Sequence, residues 1–127
     1  MSITQVNVGS PTNLFQYTDT AMGTSLDAVK ASSAVLFSIF IDNSLNGGAA
    51  SYVKLFNLAS GSTTLGTTSP DEIVYVPAGA KITHQFFTGG VAGKTFPTAL
   101  TAACVTTGGT SGTTAPSSNV AVTFLYQ

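Results

Sequence analysis

The run Val35-Leu36-Phe37-Ser38-Ile39-Phe40-Ile41-Asp42 is apolar at six of its eight positions and rich in β-branched and aromatic side chains. That composition, with no 3.6-residue apolar period around it, marks a strand. Strict alternation puts Val35, Phe37, Ile39 and Ile41 on one face and Leu36 and Phe40 on the other. Apolar side chains on both faces imply a strand that lies centrally or is covered twice. Its second face is expected to meet the N-terminal segment or a neighbouring subunit.

Outward from this run, the pattern repeats in shorter form. Strands are expected at Ile3 to Val8, Leu14 to Tyr17, Leu26 to Lys30, Val35 to Asp42, Tyr52 to Leu58, Glu72 to Val76, Lys81 to Phe86, Thr98 to Thr106 and Val120 to Tyr126. Ile82, His84 and Phe86 share one face of their strand, as do Tyr52, Lys54 and Phe56, and Val120, Val122, Phe124 and Tyr126. Turn signals separate the strands: Asn46-Gly47-Gly48, Gly61, Ser69-Pro70-Asp71, Pro77-Ala78-Gly79, Gly89-Gly90, Gly108-Gly109 and Pro116. About eight strands at this spacing describe an all-β single domain, a β-sandwich or jelly roll. Residues 106–118 contain no large apolar side chain and are expected to form an exposed loop.

The first 25 residues are poorer in large apolar groups, and Gly9-Ser10-Pro11 and Gly23 interrupt them. They are expected to form an N-terminal arm (1–25) beside a β-sandwich domain (26–127). The arm's apolar residues, Ile3, Val6, Val8, Leu14, Phe15 and Tyr17, are the candidate interface, because short β runs can add hydrogen-bonded edges to a neighbour.

Composition narrows the function. Charged residues make up 7% of the 127-residue chain, against roughly 25% in ordinary soluble domains. Fourteen Ser and twenty Thr supply much of the polar exterior in their place. A surface of hydroxyls is inexpensive to desolvate against a protein partner, since no ion leaves water. Nucleic acid is not an expected partner, because there is no Arg and the four lysines (Lys30, Lys54, Lys81, Lys94) are scattered. These lysines are expected to be solvated gatekeepers on strands and loops. The longest nearly apolar run, Ala34 to Ile41, falls far short of the roughly 20 residues of a spanning helix. Met1 to Ser10 has neither a basic residue nor a continuous apolar stretch, so it does not read as a signal peptide. The single Cys104 cannot form an internal disulfide, which fits synthesis in a reducing cytoplasm.

No residue set calls for catalysis, a cofactor or a metal. Thr88 to Thr95 approaches a phosphate-binding loop, yet Thr88 stands where the pattern needs Gly, and Phe96-Pro97 follows where a helix should begin. His84 is the only histidine and is expected to be a hydrogen-bonded structural residue on a core or interface face. Asp71 and Glu72 are adjacent, would point to opposite faces of a strand, and make a poor acid/base pair; Asp71 after Pro70 reads as a turn residue. Cys104 alternates with Leu100 and Ala102 and reads as a small buried hydrophobe. A lectin-like module remains open, since jelly rolls bind sugars, although Trp is absent and only Tyr17, Tyr52, Tyr75 and Tyr126 could stack on a ring.

Leu26 to Asn43, Tyr52-Val53-Lys54-Leu55-Phe56-Asn57, Ile73-Val74-Tyr75-Val76-Pro77-Ala78-Gly79, Thr98-Ala99-Leu100 and Val120-Ala121-Val122-Thr123-Phe124-Leu125-Tyr126 together resemble small virion structural proteins of tailed bacteriophages, in particular capsid decoration or cement proteins. The resemblance covers about the last hundred residues and leaves out the arm. It implies a β-sandwich subunit, commonly a homotrimer, bound to the capsid exterior at junctions between major capsid proteins and carrying no catalytic residues. The alternatives are a tail, knob or fibre component of the virion and, in another class, a carbohydrate-binding module.

Overall fold

The computed structural model describes residues 14–127. Eleven strands follow in order: β1 (Phe15–Asp19), β2 (Asp27–Lys30), β3 (Ala34–Asp42), β4 (Ser51–Phe56), β5 (Glu72–Val76), β6 (Lys81–Gln85), β7 (Phe87–Thr88), β8 (Val91–Ala92), β9 (Lys94–Phe96), β10 (Leu100–Val105) and β11 (Ala121–Tyr126). Among the described residues, the one helical element is a 3-10 turn at Ser60–Ser62. The all-β reading therefore holds. Eight of the nine expected strands are present, and the ninth, Ile3 to Val8, lies outside the described residues.

Two antiparallel sheets face each other. The first runs β1-β11-β3-β6, with β9 also on β3, and the second runs β2-β10-β4-β5. Pairings nest as β1 with β11, β2 with β10, β3 with β6 and β4 with β5. One long hairpin wound across two sheets gives this order, which is the jelly roll. Between the sheets pack Leu36, Ile39, Ile41, Val122 and Phe124 from the first and Val53, Leu55, Val74, Val76 and Cys104 from the second, all buried.

The deciding strand breaks strict alternation. Ala34, Leu36, Ile39 and Ile41 are buried, whereas Val35 and Phe37 are half-buried and Phe40 is exposed. The cause is a β-bulge: Leu125 opposes Ser38 but Tyr126 opposes Leu36, leaving Phe37 as the extra residue. One inserted residue reverses the faces of everything before it. Val35 and Phe37 thus turn outward instead of sharing the core face with Ile39 and Ile41.

The chain's own loops cover the outer face of the second sheet over β4 and β10, while Ile73 and Tyr75 on β5 stay exposed. Lys54 is fully buried there, correcting its expected place among solvated lysines. Its Nζ donates to the carbonyls of Thr110 (3.3 Å) and Gly112 (2.9 Å), so residues 106–118 lie across β4. Gly108 sits against the Tyr52 ring, and Thr101 Oγ1 donates to the Leu58 carbonyl at 2.6 Å. The loop is largely exposed, as expected, but it is tied down at several points. Burial lowers the Lys54 pKa by penalising its charged form. Lys54→Ala is expected to cost about 2–4 kcal/mol, from lost stem packing and two carbonyls deprived of their donor. Limited proteolysis should then cut within residues 107–115 faster than in the parent; unchanged cleavage and melting would show that the lysine does not hold the loop.

The arm also needs correction. Residues 1–13 lie outside the described residues, but Phe15–Asp19 is β1, an edge strand hydrogen-bonded to β11. Met22 is a core residue whose N–H donates to the Val120 carbonyl at 2.9 Å. The sandwich therefore begins at β1, well before residue 26. Sparse apolar content misleads here because an edge strand needs only one inward residue in two.

Candidate functional site

Whereas loops cover β4 and β10 on the outside of the second sheet, the outer face of the first is largely exposed among the described residues. Its outer face consists of three cross-strand rows: Gln16, Leu125, Ser38 and Gln85; then Thr18, Thr123, Phe40 and Thr83; then Ala121, Asp42 and Lys81. The Thr18 and Thr123 hydroxyls meet at 3.0 Å across this surface. Among the described residues its only charges are Asp42 and Lys81, which pair at 3.7 Å at one end. Hydrogen bonds from the Ser44 hydroxyl and N–H, followed by Lys81, hold the Asp42 carboxyl below its usual range.

A projecting hairpin borders the opposite end. β7 and β8 pair Phe87 with Ala92 and Thr88 with Val91 around Gly89-Gly90. Both glycines have positive φ (58° and 81°), as a two-residue type I′ turn requires. Gly93 returns the chain to the sheet at φ 103°, where a Cβ would stand 2.6 Å from Val35 Cγ1; only glycine fits against the bulged strand. The Phe86 N–H donates to the Phe37 carbonyl at 3.0 Å, fixing the excursion at the bulge. Phe37, Ser38, Gln85, Phe86, Phe87, Ala92 and Leu125 line a shallow pocket of about 220 Å³. Phe87 at its lip is 65% exposed and Phe40 nearby is 40% exposed. Large aromatic surface left in water on a face with one ion pair makes this the candidate binding surface.

The expected interface residues lie off this face. Ile3, Val6 and Val8 are outside the described residues. Leu14 and Phe15 are exposed, with Phe15 stacked on Tyr126 at 5.8 Å. Tyr17 turns inward, packs on the core and donates to Asp27 Oδ2 at 3.1 Å, bridging the edges of the two sheets. It is a structural contact between the sheet edges and remains half-buried. The expected set does not include Phe37, Phe40, Phe87 and Leu125; the two-faced apolar strand contains the first two, and no sequence signal marks Phe87 or Leu125.

Asp27 has an unusual environment. Burial first, then a hydrogen bond and charge repulsion from Asp19, push its pKa up from 3.8 to about 6, against the Tyr17 hydrogen bond. Burial, followed by Asp27, raises Tyr17 to about 12. The folded state therefore binds the Asp27 proton more tightly than the unfolded chain does. This contribution is complete below about pH 4 and is lost as pH rises through about 6. Because Asp27 is partly solvent-screened, the effect is about 1 kcal/mol, or roughly 4 °C in Tm. Melting should thus occur higher at pH 5 than at pH 7, and Asp27→Asn should raise the pH 7 value and flatten the difference. A parent curve that falls from pH 7 to pH 5 contradicts this assignment.

The remaining chemical candidates do not converge. His84 is exposed on β6, its ring edge-on to Phe86 at 4.6 Å, which removes the core half of its expected core or interface placement. Cys104 is buried in β10, and burial pushes its thiol up to about 12. Asp71 accepts from the Asn57 N–H at 2.7 Å in the turn before β5, while Glu72 pairs with Lys94 at 3.1 Å. Thr88 to Thr95 forms the hairpin and the start of β9, with no helix end at its glycines. No helix among the described residues is long and apolar enough to cross a membrane. No known family model, curated protein or solved structure matches the chain.

Proposed function

We propose that this chain is a non-catalytic virion structural protein, a capsid decoration or cement protein that docks on the exterior of a phage head. The observation that carries this reading is the outer face of the first sheet, which among the described residues is largely exposed, nearly uncharged and carries the aromatic side chains Phe40 and Phe87 at its centre and rim. The sequence resemblance to decoration proteins supports it. A flat surface of this kind suits the seams between major capsid proteins, where many copies of a modest contact sum to substantial resistance against the pressure of packaged DNA. The protein is made in the host cytoplasm and assembles as a homo-oligomer.

The test is reconstitution on particles lacking the protein. Saturable binding at a fixed ratio to the major capsid protein, seen as density at its junctions by electron microscopy, is the expected result. A small count confined to the tail indicates a tail, knob or fibre part instead. A second reading, glycan binding, is favoured by the Phe87-lipped pocket with its Ser38 hydroxyl and Gln85 amide. It predicts retention on a glycan array that Phe87→Ala abolishes.

A further inference from the structure

We infer that the meeting of Asp19 and Asp27 is a proton-operated latch on β1: with one proton between the two carboxyls the strand is held against β2, and without it β1 opens more often while the rest of the sandwich stays folded. The inference does not rest on capsid docking.

Strand β1 is an edge of the first sheet and β2 an edge of the second. By alternation Tyr17 and Asp19 point inward from β1 and Asp27 from β2, so the two edges meet through these side chains. Tyr17 Oη donates to Asp27 Oδ2 at 3.1 Å, and the Asp19 and Asp27 carboxyls share a hydrogen bond. A carboxylate only accepts, so a hydrogen bond between two carboxyls exists only while one of them holds a proton. At the other seam, β5 and β9 are joined by opposite charges, Glu72 and Lys94 at 3.1 Å. At this one, like charges meet once the proton leaves, and both carboxyls are half-buried.

Few other groups act on the pair. From β11, Tyr126 acts on Tyr17, and from β10, Cys104 feels Asp19. Lys30 lies on the other face of β2 by alternation. Among the described residues no cation acts on Asp27, and residues 1–13 contain no titratable side chain. The latch is therefore closed below about pH 4 and is released as pH rises through about 6, where burial and then Asp19 place Asp27.

The opening is local because β1 is weakly held. Its one neighbour in the sheet is β11, Phe15 is exposed, and Tyr17 is its one side chain packed on the core. Beyond it the chain is anchored independently, by the Met22 N–H on the Val120 carbonyl and the Cys104 N–H on the Gly23 carbonyl, both at 2.9 Å. Such a strand can detach without global unfolding. Opening leaves β11 with a bare edge, so the proton sets how often that edge is free to pair with another strand.

The experiment is amide hydrogen exchange of the full chain at pH 5 and pH 7, corrected for intrinsic rates. The β1 amides should exchange through an easier opening than those of β4 and β10, and their protection should fall about five-fold from pH 5 to pH 7, the linkage of a half-buried pair. The hairpin amides of Phe86 and Gly93, far from the pair, should keep theirs. Asp27→Asn cannot ionise, and Asp19→Asn offers an amide donor to an ionised Asp27, so both should flatten the β1 difference. Exchange of β1 only together with β4 and β10 overturns the inference, since the proton then acts on the sandwich as a whole. A β1 opening independent of pH, or a full pH dependence surviving in either variant, overturns it as well.

Discussion

A chain that starts at Leu26 is expected not to fold. It lacks β1, whose five residues pair with β11 from Phe15 opposite Tyr126 to Asp19 opposite Val122. It also lacks Tyr17 on the core and Met22 within it. Deleting a buried Met side chain alone costs about 2–5 kcal/mol, and the lost ladder and the Tyr17–Asp27 bond between the sheet edges add to this. Against a typical total of about 5–15 kcal/mol, little remains. Truncation also turns β11 into an edge, exposing a strand with Val122 and Phe124 to association with other chains. Dye binding to exposed apolar surface and loss of a cooperative melt are the expected readouts. A chain starting at Asn13 retains every contact described above and is the control. If the shorter chain instead melts cooperatively near the control, β1 and Met22 are dispensable and the sandwich begins where the apolar pattern alone places it.

The strands were legible because alternation is a local property. Glu72–Val76 is found at its expected bounds, and the strands around it differ from expectation by a residue or two at their ends. What alternation cannot reveal is an interruption of itself. The Phe37 bulge depends on how β11 pairs, which is decided 88 residues later at Leu125, and it moves Phe37 from core to surface. Lys54 was misread for a related reason: its alternation with Tyr52 and Phe56 was plain, but the cover over that face comes from a loop with no large apolar residue. Short β7, β8 and β9 were hidden in a Gly-rich stretch whose turn was recognised and whose flanking pairs were too brief to show a period. The candidate surface is subject to the same limit. Its apolar strand was visible as two-faced, but the side chains that emerge from it could be named only once the bulge and the hairpin were placed.

The same limit applies to Asn43, whose replacement by Ala is expected to be among the most damaging single changes in the protein. Asn46-Gly47-Gly48 reads in the sequence as a turn, and nothing local marks the asparagine before it as buried; in the structure Asn43 is fully enclosed. Its Nδ2 donates to the carbonyls of Ala49 (3.1 Å) and Pro77 (3.0 Å). Its Oδ1 accepts from Asn46 Nδ2 (3.0 Å) and Ser51 Oγ (2.9 Å). Asn46 in turn bonds the Ser118 N–H and carbonyl, so one amide pair ties the β3–β4 loop, the β5–β6 turn and the approach to β11. Asn43→Ala takes a partner from four groups; the Pro77 carbonyl keeps the Ala80 N–H and Asn46 Nδ2 keeps the Ser118 carbonyl, so the Ala49 carbonyl and the Ser51 hydroxyl lose most. At about 1–3 kcal/mol for each group left unsatisfied, and with partial relaxation, a loss of about 4 kcal/mol follows. This corresponds to roughly 15 °C in Tm, with an unchanged denaturant slope if the folded state keeps its extent. Asn43→Asp separates hydrogen bonding from packing. It keeps the volume and both acceptor contacts, but it turns a buried carboxylate toward the Ala49 and Pro77 carbonyls. Burial raises the pKa of such a group, so its penalty should be greatest at neutral pH and fade on acidification, when a proton restores one donor. Melts of both variants from pH 7 to pH 4 check this: the deficit of Asn43→Asp should shrink with acid while that of Asn43→Ala does not. Parallel pH profiles for the two would show that packing volume, and not the directed amide, holds the three loops together.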